Sequence, residues 1–185
     1  MPPKNKFTQE EITDAAVRVV RLRGAEALTA RTVADALGAS TKVIFGLFEN
    51  MQALRQAVID TAYRNYSGFL QRAVGENEYP PYKASGMAYI RFAQEETALF
   101  RLLFMRDRTG ELPVPDEETE RVIRIIMRET GFSRTQAEIL HLEMWICVHG
   151  IATLQVTSFQ KLSTELISRM LTDIYQGICF KIREG

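Results

Sequence analysis

Cysteine, histidine and tryptophan are scarce in this chain of 185 residues, which holds two, two and one of them. The two cysteines, Cys147 and Cys179, both lie inside apolar helical patterns. They read as buried free thiols rather than a disulfide or metal pair. An excess of charge is missing as well, since 23 Lys and Arg balance 23 Asp and Glu. That excludes a surface coated in basic charge for indiscriminate polyanion binding, though not a local basic face. No apolar run reaches the ~18–20 residues of a membrane span, and the opening MPPKNKFTQEE lacks the apolar stretch of a signal peptide. A soluble, cytoplasmic protein with no membrane partner is expected. Runs of β-branched residues between turn signals are also rare, so strands are not expected.

What is present is helical periodicity. With 46% of residues hydrophobic, a sizeable core can form and disorder is excluded. Long stretches with three- and four-residue apolar spacing predict an all-α chain. Thr8 and Glu11 have capping-box spacing, with Phe7 and Ile12 placed for a hydrophobic staple. The stripe Ile12, Ala15, Ala16, Val19, Val20 follows, and Gly24 ends the helix. A second helix starts after Thr29, buries Val33, Ala34 and Leu37, and stops at Gly38. Ser40 is expected to cap a short third helix, Thr41 to Leu47. Asn50 caps a long fourth helix running to about Val74. Pro80 and Pro81 break it, and further helices are expected over 83–95, in ETALFRLLFMRD, and from about Asp116 to Glu129. Ser133 with Gln136 opens a helix over 134–157, and Ser163 caps the last one. An N-terminal domain over 1–52 and a helical domain over 53–185 are the expected division.

The stretch LTARTVADALGASTKVIFGLFENMQAL (28–54) has helix-turn-helix form: a capped helix, a turn with glycine, and a short second helix. A helix that enters the major groove must be short and exposed and must open with small or hydrogen-bonding side chains. Thr41, Lys42 and Val43 meet that requirement. The N-termini of the second, third and fourth helices also present backbone N–H groups suited to phosphate oxygens. By form alone, an ordinary helical hairpin fits equally well. Residues 1–56 carry eight basic and six acidic side chains, so any affinity for nucleic acid there must come from placement.

The same stretch closely resembles the DNA-binding segment of the tetracycline-repressor (TetR) family of bacterial transcription regulators. The resemblance runs from Thr8 to Leu54 and rests on the Leu-Thr opening, Val33-Ala34, Gly38, Ser40, the aromatic Phe45, Phe48 and Leu54, all at intact spacing. It implies an all-α homodimer, an N-terminal three-helix DNA-binding domain, a helical ligand-binding and dimerisation domain, and a repressor released from a pseudo-palindromic operator by a small molecule. Carried over by motif, the DNA-contacting residues are Thr29, Arg31, Ser40, Thr41, Lys42, Val43, Phe45 and Gly46. Two departures stand out: the family's usual tyrosine in the recognition helix is Phe45, and its usual lysine at the start of the fourth helix is Met51. Both remove a polar handle on the DNA backbone, for which Lys4, Lys6 or Arg31 would compensate. Further on, Trp145-Ile146-Cys147-Val148-His149-Gly150 resembles the Trp…His-Gly signature of one subgroup, and ALFRLLF (98–104) its matching earlier helix.

In the second half, the helices 134–157 and 163 onward carry more apolar surface than one core needs. That predicts a dimer through Ile151, Leu154, Leu166, Met170, Ile174, Gly177 and Ile178, with Gly150 and Gly177 permitting close approach. Phe69, Met87, Phe92, Phe104, Met127, Met144, Trp145 and His149 could line a pocket for an apolar effector, although most must be plain core. Glu138 and His141 have the Glu-x-x-His spacing of bundle metal sites, but such sites need two copies, and a surface pair is the better reading. His149 reads as a hydrogen-bonded core or pocket histidine. Cys147 and His149 are two apart on a helix and face apart, which disfavours a nucleophile pair. No catalytic residue, cofactor or metal is expected, and the chain reads as a regulator rather than an enzyme. The alternatives are a helical enzyme or metal carrier, and a ligand-binding protein whose operator binding is weakened or lost.

Overall fold

A computed structural model describes residues 7–107, 109 and 117–184. Within them the chain is helical: α1 Gln9–Arg23, a 3-10 turn Ala25–Ala27, α2 Ala30–Leu37, α3 Lys42–Phe45, α4 Met51–Gly75, α5 Pro81–Glu95, α6 Thr97–Phe104, α7 Glu117–Thr130, α8 Arg134–Val156 and α9 Thr164–Glu184. No strand occurs among the described residues. Lys4 and Lys6, and residues 108 and 110–116 of the loop after α6, lie outside them.

Most helix starts follow the capping signals. Thr8 and Glu11 exchange bonds at α1: the Glu11 N–H donates to Thr8 Oγ1 at 3.1 Å, and the Thr8 N–H donates to Glu11 Oε2 at 2.7 Å. Ser133 and Gln136 do the same at α8. The Ala53 N–H donates to Asn50 Oδ1 at 2.9 Å, and the Leu166 N–H to Ser163 Oγ at 3.2 Å. Each such cap satisfies a donor the helix leaves open, and is worth about 1 kcal/mol. At α3 the expectation fails. The helix spans only Lys42–Phe45, Thr41 occupies the cap position in helical conformation, and no side chain caps it. Ser40 contributes its carbonyl instead, accepting from the Val43 N–H at 3.1 Å. α5 starts at Pro81 rather than residue 83, because proline suits the first helical position, where no N–H is needed.

Two compact units emerge, and they do not part at residue 52. The first comprises 1–66 and 96–107, the second 67–95 and 108–185. The boundary falls inside α4, so most of that helix, together with α6, belongs with the helix-turn-helix. The first unit's core joins Ile12, Ala15, Ala16 and Val20 of α1, Val33 of α2, Ile44 of α3, Leu54, Val58 and Ala62 of α4, and Leu99 and Phe100 of α6, all fully buried. Arg21 on α1 clasps Glu96 before α6 with two bonds of 2.9 Å. Tyr66 packs edge-on against Phe104.

In the second unit, α5 lies against α7, α8 and α9. Its core includes Phe92, Ile123, Ile126, Leu140, Ala152 and Leu171. The glycine that meets neighbouring helices is Gly86, where an added Cβ would lie 3.5 Å from Val148 Cγ2 and 3.6 Å from Leu171 Cδ1. At Gly150 and Gly177, expected at a close approach, an added Cβ would meet no other element of the subunit within 4 Å. Cys179 is buried, but Cys147 is only half-buried; both are free thiols. Among the described residues, α8 alone is long and apolar enough to cross a bilayer. One side of it is packed on α5, α7 and α9, and the other carries the exposed Ile139, Leu142 and Ile146.

Candidate nucleic-acid interface

The recognition segment is built around one buried side chain. Ile44 is fully enclosed and fixes α3 in the unit, so Thr41, Lys42 and Phe45 point outward. Ser40 and Gly46 are exposed and Val43 is half-buried. The turn before α3 depends on Gly38, whose φ of 60° is left-handed and strained for a side chain with a Cβ. Its N–H closes on the Asp35 carbonyl at 3.1 Å, and the Ala39 N–H on Ala34 at 3.0 Å. After α3, the Gln9 side-chain amide donates to the Leu47 carbonyl at 2.6 Å, which ties the end of the recognition segment to α1.

Arg31 is exposed on the first turn of α2. Thr29 is exposed too, but its hydroxyl is engaged as the α2 cap. It accepts from the Thr32 N–H at 3.2 Å, while the Thr29 N–H donates to Thr32 Oγ1 at 3.1 Å. The DNA-contact residues expected from the sequence therefore all lie in one compact unit, with Lys42 and Arg31 as the cations among them. At Phe45, 50% exposed, an apolar ring stands where the resemblance led one to expect a phenol.

The eight residues expected around an effector pocket have varied surroundings. Phe92 and Met144 are buried core. Phe69 is edge-on to Phe92 at 5.7 Å, with the guanidinium groups of Arg72 and Arg91 over its ring. Phe104 belongs to the first unit, and Met127 is half-buried on α7. Of the eight, Met87 borders a cleft of about 240 Å³ lined also by Ala73, Tyr79, Ala88, Ile90 and Ile167, with Glu76, Glu78 and Arg91 among its polar residues.

Trp145 and His149 form a cluster with Tyr89, a partner that the sequence reading missed. The indole and imidazole stack at 5.2 Å and 16°. His149 Nδ1 lies 2.9 Å from the Tyr89 hydroxyl, and the indole of Trp145 hydrogen-bonds the same phenol. Burial holds the Tyr89 phenol well above the ordinary tyrosine range and lowers the His149 pKa. A second pair repeats the pattern: His141 Nδ1 lies 3.3 Å from the Tyr82 hydroxyl, and Tyr82 is likewise kept protonated by burial. The tyrosines are seven residues apart on α5 and the histidines eight apart on α8, each close to two helical turns. That spacing was the available signal. Glu138 turns elsewhere, to Arg134 at 2.8 Å, so Glu138 and His141 do not converge.

The unpartnered apolar face of the α8–α9 pair also differs from expectation. Ile151 is 5% exposed and belongs to the subunit's own core. Leu154, Leu166, Met170, Ile174 and Ile178 are half-buried, and Gly177 is exposed. The large exposed apolar side chains are Ile139, Leu142, Trp145 and Ile146 on α8 and Phe180 on α9.

Residues 12–58 match the family model of the bacterial regulatory proteins of the tetR family. Residues 82–174, half of the chain, match that of the tetracyclin repressor-like C-terminal domain. No curated protein sequence matches the chain. Among solved structures, a protein of unknown function from Rhodococcus sp. RHA1 superposes with a TM-score of 0.71 at 21% identity, over 95% of this chain and 97% of its own. A member of the TetR family from Streptomyces coelicolor A3 gives 0.65 at 20% identity, over 93% and 98%. The multidrug binding protein EbrR, complexed with imidazole, gives 0.62 at 21% identity, over 90% and 88%. Sequence models and fold agree: this chain belongs to the TetR family and is a DNA-binding transcriptional regulator.

Proposed function

We propose that the chain is a dimeric repressor that leaves a pseudo-palindromic operator when a small, largely apolar molecule binds its second unit. The observation that carries this reading is the recognition segment itself. Buried Ile44 and the left-handed turn at Gly38 present Thr41, Lys42 and Phe45 outward on one short helix. In a twofold dimer each such helix would enter a major groove, with half-site centres ~34–36 Å apart if successive turns are used. The repressor would act on chromosomal DNA in the cytoplasm.

The dimer reading is supported by the outward stripe Ile139, Leu142, Ile146 on α8, beside the open Gly150 and Gly177. Leu154, Leu166, Met170, Ile174 and Ile178 would extend that interface. An apolar effector is supported by the apolar wall of the cleft at Met87, and the fold is shared with a multidrug binding protein. Such an effector would act only through different affinities for the operator-bound and free states.

The test is selection of bound genomic fragments, followed by salt titration on the best one. A palindromic motif is expected. Lys42→Ala and Arg31→Ala should each flatten the log–log salt slope by about 0.9 for every phosphate the side chain neutralises. Retention of no fragment at low salt, without effector, would instead favour a ligand-binding protein that has lost its operator.

A further inference from the structure

We propose that Phe45 is a base-reading residue, which recognises a thymine through its 5-methyl group. This rests on the DNA-binding reading above and deepens it. The ring is half-exposed, on the outward face that also carries Thr41 and Lys42, while Ile44 beside it is wholly buried. The exposure is therefore imposed by the register of α3. Phe45 occupies the third position after Lys42 on the short recognition helix, and its backbone N–H is already spent on the Thr41 carbonyl at 3.3 Å. Its side chain has no atom that can hydrogen-bond a phosphate. On the floor of the major groove the base edges show donors and acceptors, and the one apolar group that stands out from them is the thymine methyl, where cytosine has only a hydrogen. An apolar ring carried into that groove gains most by covering this methyl and excluding water from it.

Lys42 supplies the register. Three residues separate it from Phe45, about 4.5 Å along the helix, against ~3.4 Å per base step on each strand. The thymine read by Phe45 therefore lies one or two base pairs from the position that Lys42 reaches. Twofold symmetry places one such thymine in each half-site.

The experiment uses the full chain and the tightest duplex from genomic selection. Each thymine is replaced in turn by uracil, which deletes the methyl and leaves base pairing intact. One symmetric position is expected to weaken wild-type binding roughly fourfold per half-site, the effect of one methyl-sized group. Phe45→Ala should bind less tightly and be indifferent to uracil at that position, while Phe45→Leu should keep part of the discrimination. Circular dichroism and urea unfolding of Phe45→Ala check that the fold is intact. Equal sensitivity to uracil in wild type and Phe45→Ala at every position would overturn the proposal and leave DNA binding standing. Failure to recover any bound duplex would overturn both.

Discussion

His149 and Tyr89 share a hydrogen bond. The two atoms, Nδ1 and the phenolic oxygen, lie 2.9 Å apart across α5 and α8. Burial keeps the phenol protonated and favours the neutral imidazole, so the two meet as uncharged groups, and the imidazole tautomer sets which of them donates.

A pH dependence follows. The folded-state pKa of His149 is depressed below its ordinary 6.5, so between the two values the unfolded chain binds more protons than the folded one. Stability from this site is complete above about pH 6.5 and is lost as pH falls through the depressed folded value. Urea unfolding at pH 7.5 and pH 5 should show a smaller loss for His149→Gln than for wild type. Tyr89→Phe should cost about 1–2 kcal/mol at pH 7.5, since it leaves the His149 ring nitrogen without this hydrogen bond. Identical pH profiles for wild type and His149→Gln would refute the assignment.

The recognition helix should separate support from contact. Ile44→Ala removes a fully buried side chain and should cost about 2–4 kcal/mol, taking DNA binding with it. Lys42→Ala, at an exposed site, should change stability by less than about 0.5 kcal/mol while weakening DNA binding. Denaturation and gel retardation on the same preparations check both. Equal stability losses for the two variants would show that Ile44 is not the anchor.

The turn before α3 depends on Gly38 at φ 60°. Gly38→Ala should lower stability by about 1 kcal/mol, and Gly38→Asn by less, because asparagine tolerates the left-handed region. A melting temperature unchanged by the alanine would mean that the turn relaxes without strain.

The apolar face of α8 should govern assembly. Ile146→Glu, at a side chain 57% exposed, should leave the subunit folded and halve the mass measured by sedimentation. Ile151→Ala should do the reverse, losing about 2–4 kcal/mol while the dimer persists. A dimer undisturbed by glutamate at 146 would place the interface elsewhere.

The clasp between Arg21 and Glu96 is partly exposed, with side chains 39% and 26% accessible. A double-mutant cycle of Arg21→Ala and Glu96→Gln should give a coupling of about 0.5–1 kcal/mol that shrinks at 1 M salt. Salt-independent coupling would point to a packing role for the arginine stem instead.

Local rules account for what the sequence by itself determined. Caps at Thr8, Thr29, Asn50, Ser133 and Ser163, the stop at Gly38 and the three- and four-residue apolar spacing act over a few neighbouring residues, so the helices and their order can be read from them. The form of 28–54 left DNA binding and a plain helical hairpin level, and its resemblance to a family's DNA-binding segment decided between them. The short α3 lay beyond those rules. Its start is set by Ile44 sinking into the first unit rather than by a cap at Ser40, and the same burial turns Phe45 outward.

Only the tertiary structure decided which apolar residues are shared within the subunit and which are left over. Ile151 and Ile146 look alike in a sequence, yet one is 5% and the other 57% exposed, because burial depends on which neighbours α5, α7 and α9 bring to each side of α8. The same holds for His149, whose partner Tyr89 lies 60 residues away. Periodicity limits which face a residue lies on, but long-range packing determines what that face meets.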